Sequence, residues 1–150
     1  MSTHTKDTTV LNTLIATLLD SVDGYRKSAH DIETPELAAK FSARATEREA
    51  AAARLQAVVT ASGGNPEDDG SVAGSAHRVF LNLKEAVMGR DDKAIVAEIE
   101  RGEDYLKGKF ETARNDVDLS PAARSAVDEA WTSVKQGHDE MSALKHSMNV

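Results

Sequence analysis

Leu11, Leu14, Ile15, Leu18, Val22 and Tyr25 recur three or four positions apart, the spacing that lines one face of a helix. The pattern predicts an amphipathic helix from about Thr8 to His30, with Gly24 inside it and off the apolar stripe. Thr34-Pro35-Glu36 then supplies a cap, a first-turn proline and an early acid. These open a second helix to about Ala61, with Leu37, Phe41, Ala45, Ala52, Leu55, Val58 and Val59 facing inward. Residues 62–75 hold four glycines and one proline and read as a linker. A short helix is expected over about Ala76–Met88, on Val79, Phe80, Leu83 and Val87, with Gly89 ending it. The third long helix is predicted over about Asp92–Asn115, through Ile95, Ile99, Leu106, Phe110 and Ala113. Ser120-Pro121 caps a fourth that reaches about His146 through Val127, Ala130, Val134, Met141 and Leu144.

Nowhere do apolar and polar residues alternate with β-branched enrichment between turns, so no strand is predicted. The fold class is therefore all-α, a bundle of four long helices. Helices one and two, and helices three and four, are joined by short loops and should be antiparallel neighbours. The connection between helices two and three is long enough to climb back along a helix of roughly 42 Å. Helix three would then begin beside the beginning of helix two, the ferritin-like connectivity, with a crossover that contains the short helix. Residues 1–9 read as a flexible N-terminal tail and residues 10–147 as a single domain.

Composition narrows the functional classes. A chain of 150 residues fits one domain with a core of its own. The absence of cysteine excludes disulfides, thiolate metal sites and Cys nucleophiles. A formal charge of −7 disfavours nucleic acid and anionic membranes, which select cationic patches. No apolar run is long enough for a membrane span, and the polar start from Met1 to Thr9 lacks a hydrophobic signal region. The expected location is the bacterial cytoplasm. No Gly-x-Ser-x-Gly or Walker arrangement occurs, which argues against an enzyme.

Several short motifs occur in order along the chain: Asp20-Ser-Val-Asp-Gly-Tyr25, Gly63-Gly64-Asn-Pro66, Gly74-Ser-Ala-His77-Arg78, Glu100-Arg-Gly-Glu-Asp104 and His138-Asp139. Together they resemble a bacterial family of ferritin-like four-helix bundles carried under a domain-of-unknown-function label. The resemblance runs from about Val10 to His146 and implies the bundle, a loose link to stress physiology, and no settled activity.

Ferritin-like di-iron sites draw one Glu from each of two helices and Glu-x-x-His from each of the other two. No Glu-x-x-His occurs in this chain: Ala50 stands three residues after Glu47, and Lys135 three residues before His138. Asp20 points off the stripe of helix one and reads as a solvated carboxylate. The inner faces carry other polar residues instead. Arg48 is centred in the stripe of helix two, Glu103 edges that of helix three, His138 lies between Val134 and Met141, and Tyr25 continues helix one. Their depths along the bundle agree within about one and a half turns, so Tyr25, Arg48, Glu103 and His138 are expected to form an interior polar layer. Gly102 and Gly137 fall at the same level and would make room for a bulky partner. A guanidinium there is permanently charged and would repel a divalent cation.

Two functional readings follow. The first is a non-catalytic bundle without a cofactor, a structural or interaction protein associated with stress. The second is a metal-handling bundle that holds iron or another divalent metal through Glu47, Glu100, Glu103 and His138. A homodimer is expected on either reading, with Trp131 at the stripe edge as core or interface. Glu67-Asp68-Asp69 reads as a solvated turn, and Arg78 of His77-Arg78 as the partner of an acid on a neighbouring helix.

Overall fold

The computed structural model describes residues 2–68 and 92–148, and among them it shows four helices and no strand. They are α1 (Ser2–Asp31), α2 (Pro35–Ala61), α3 (Asp92–Arg114) and α4 (Pro121–Met148). α1 packs most extensively on α2 and also on α3, while α4 packs on the same two helices. The cross-section of the bundle therefore runs α1, α2, α4, α3. The expected helix over Ala76–Met88, the pair His77-Arg78 and Asp69 lie outside the described residues.

Loop chemistry fixes how the helices meet. Asp92, at the head of α3, accepts hydrogen bonds from the backbone N–H of Glu33 at 3.0 Å and of Thr34 at 3.1 Å, and from the Thr34 hydroxyl. The start of α3 is thus tied to the start of α2, as the loop lengths predict. Thr34 takes the extended N-cap conformation before Pro35, but its hydroxyl serves Asp92 and makes no cap bond to its own helix. Ser120 does cap α4, its Oγ accepting from the Ala123 N–H at 3.2 Å. The start of the linker is also held: Asn12 donates to the Asn65 carbonyl at 2.9 Å and accepts from the Glu67 N–H at 2.8 Å. Gly63 has a φ of 85°, a conformation that suits glycine.

Two expectations about α1 are corrected. The stretch 1–9 was expected as a tail, but α1 begins at Ser2. Asp7 is buried and accepts from the Ser120 N–H at 3.0 Å and from the Ser120 hydroxyl, which seats the first turns against α4. Asp20 was expected in solvent, yet it is buried, and Gly24, off the apolar stripe, is buried as well. The reason is that α1 has two neighbours and buries a wider arc than its apolar stripe. Thr17, Ser21, Gly24 and Ser28 form a second buried row of small residues at helical spacing.

The core divides in two along the bundle axis. One cluster joins Leu14, Leu18, Leu55, Leu106, Phe110, Val127 and Val134. The other joins Val22, Phe41, Ile95, Val96, Ile99 and Met141. No described helix is long and apolar enough to cross a membrane.

Candidate functional site

A polar layer lies between the two apolar clusters, and every helix contributes to it. Ser21 falls between Leu18 and Val22, Arg48 between Ala45 and Ala51, Glu103 between Ile99 and Leu106, and Gly137 between Val134 and Met141. In each pair the first and second residues belong to different clusters. Helical periodicity turns all four positions inward at one level.

Glu103 is the hub. Its Oε1 accepts from Arg48 Nη2 at 2.7 Å, and both side chains are fully buried. Its Oε2 accepts from the Tyr25 hydroxyl, also fully buried. Arg48 Nη1 donates to Ser21 Oγ at 3.4 Å, and the Ser21 hydroxyl donates in turn to the Leu18 carbonyl at 2.7 Å. The guanidinium carbon lies 5.8 Å from the centroid of the Tyr25 ring, which stacks at a tilt on Phe41. Arg48 Nε is buried without a hydrogen-bond partner, so the guanidinium meets its donors incompletely. Gly137 provides its seat: a Cβ there would stand 2.2 Å from Arg48 Nη2.

Burial drives the electrostatics. It pushes the Tyr25 phenol well above its ordinary value, and the negative charge of Glu103 pushes the same way. For Arg48, burial pulls down, but Glu103 and Tyr25 together more than offset it and the guanidinium is held above its ordinary value. The layer therefore contains a permanent cation, an acceptor shared between two donors, and a phenol that keeps its proton.

This arrangement does not suit the inner metal pair of a ferritin-like bundle. The space at that level holds a guanidinium, and the Glu103 oxygens are already engaged by Arg48 and Tyr25. The four residues proposed as alternative metal ligands are also dispersed. Glu47 sits on the seam between α2 and α4, paired with Arg44 and accepting from Ser133 Oγ at 2.8 Å. Glu103 is central. Glu100 and His138 meet elsewhere, on the seam between α3 and α4.

His138 was expected in the interior layer and is not there. Its neighbour Gly137 faces Arg48, and one residue turns a helix by about 100°. The His138 side chain is 14% exposed and directs Nε2 to Asp104 Oδ1 at 2.6 Å and Nδ1 to Asp139 Oδ1 at 3.3 Å. Glu100 lies in the same cluster, with Lys145 Nζ 3.4 Å from its Oε1. Sequence reasoning assigned no role to Asp104 or Ser21. The signal for Asp104 was its position four residues after Glu100, which puts both on one helical face. Trp131 is partly buried against the core, with the Arg114 guanidinium 4.7 Å above its ring.

The family described as Domain of unknown function (DUF2383) matches residues 6–116 of the chain. Among curated proteins, none matches it.

Proposed function

The chain belongs to the DUF2383 family of unknown function, and we propose that it is a non-catalytic, ferritin-like structural or interaction protein of the bacterial cytoplasm. The observation that carries this reading is the fully buried Arg48–Glu103 pair at the centre of the bundle. A metalloenzyme of this architecture needs several anionic oxygens converging on its midpoint. Here a fixed positive charge holds that place and takes up the carboxylate, so the centre cross-ties helices instead of binding a cation. Tyr25 from α1, Arg48 from α2 and Glu103 from α3 are joined through one carboxylate, and Gly137 of α4 receives the guanidinium. The product is a specified docking of four helices. The link to stress physiology rests on the family resemblance alone, and a homodimer belongs to the same reading.

Elemental analysis of protein purified without an affinity tag tests it. Less than about one iron or manganese per chain is expected, with no oxidation of added ferrous iron. About two metals per chain at near-full occupancy would overturn the reading.

A further inference from the structure

We propose that Glu100, Asp104 and His138 form a binding site for a single divalent transition-metal cation on the seam between α3 and α4. Glu100 and Asp104 stand one turn apart on α3, so both carboxylates project from one face. His138 comes from the antiparallel neighbour α4 and meets them from the other side. One ligand atom from each of the three lies within 4.8 Å of the other two.

The imidazole is set up as a ligand. Asp139 takes Nδ1 at 3.3 Å, which leaves Nε2 aimed at the two carboxylates. A carboxylate on the far nitrogen is the usual way in which a metal-binding histidine is oriented. Exposure is graded across the site. The side chains of Glu100 and His138 are each 14% exposed, whereas that of Asp104 is 57% exposed. Two ligands thus form a largely buried floor and the third is an exposed rim beside solvent.

Two carboxylate oxygens and one imidazole nitrogen suit a first-row divalent ion such as zinc, with an open position left for water. Around such an ion the ligand atoms stand roughly 3.3 Å apart. The 2.6 Å contact between His138 and Asp104 must therefore open slightly. The exposed Asp104 side chain can supply that movement. Lys145, 3.4 Å from Glu100, is a resident cation that an incoming metal would displace. The site is separate from the interior layer, and its proposal does not rest on the reading of Arg48.

Calorimetric titration of zinc into tag-free, chelator-treated protein tests the site, with cobalt absorption as a report on coordination. About one zinc per chain is expected. Asp104→Asn and His138→Gln should each weaken binding by at least about 10-fold, and Asp139→Asn by about 10-fold through loss of ring orientation. Lys145→Gln should tighten binding, since it removes the competing charge. Tyr25→Phe, inside the bundle, should leave affinity unchanged, which separates this site from the interior. Absence of saturable binding would overturn the proposal. So would unchanged affinity in both His138→Gln and Asp104→Asn, because the zinc would then sit elsewhere.

Discussion

Arg48→Met removes a fully buried guanidinium and leaves Glu103 with Tyr25 as its remaining donor in the layer. The magnitude follows from where the pair sits. An exposed ion pair contributes about 1 kcal/mol or less. A buried one whose partner is deleted leaves an uncompensated charge, and the loss rises to about 3–5 kcal/mol. Both side chains here are at 0% exposure with 2.7 Å between them, so the larger range applies. For a chain of this length that is a fall in Tm of about 6–20 °C. Glu103→Leu should be comparably harmful, because it strands the Arg48 charge and the Tyr25 hydroxyl together. The double change Arg48→Met with Glu103→Leu should recover much of the loss, since a buried pair replaced by apolar groups of similar volume is often neutral. It should still fall short of the parent by about 1–3 kcal/mol, because the buried Tyr25 hydroxyl loses its acceptor. Adding Tyr25→Phe should close that gap. Urea denaturation of the two single variants, the double and the triple gives the coupling energy directly. Single losses near or below about 1 kcal/mol that simply add would refute the reasoning, since they describe a solvated pair.

Two further outcomes test the same layer. Gly137→Ala would gain up to about 1 kcal/mol in helix propensity, but the new Cβ would lie 2.2 Å from Arg48 Nη2 and 3.3 Å from Arg44 Cδ. A net loss of about 1–3 kcal/mol is expected in denaturation, whereas Gly108→Ala, with nothing within 4 Å of its Cβ, should stabilise by up to about 1 kcal/mol; a stabilising Gly137→Ala would show that Arg48 moves freely. Because burial and then Glu103 raise the Tyr25 phenol in the folded state, its contribution to stability is complete below an unfolded value of about 10 and declines as pH rises through the folded one. The parent should therefore lose stability at alkaline pH more steeply than Tyr25→Phe, with the Tyr25 phenolate absorbance delayed until then; identical alkaline slopes would contradict the buried phenol.

Much of this molecule is written in local pattern. The four long helices, their short antiparallel connections and the start of α3 beside α2 follow from periodicity, Pro and Ser signals and loop length, because each depends on neighbours along the chain. The meeting of Arg48 with Glu103 and Tyr25 was legible for the same reason: a polar residue centred in an apolar stripe can point only into the bundle, and depth along a helix is counted in residues. Direction around the helix axis was not legible to within one residue. Whether Gly137 or His138 faces Arg48 depends on how α4 is rotated against α2 and α3, and that rotation sent His138 to Asp104 and Asp139. The burial of Asp20 and Gly24 likewise required knowing that α1 has two neighbours, since an apolar stripe marks only the centre of a buried arc. The N-terminal stretch looked like a tail because its residues are polar, but Asp7 within it is buried and bonded to Ser120, 113 positions apart. Local composition sets which helices form; the tertiary structure decides which of their polar groups are removed from water and with whom they share a proton, because that depends on residues far away in the chain.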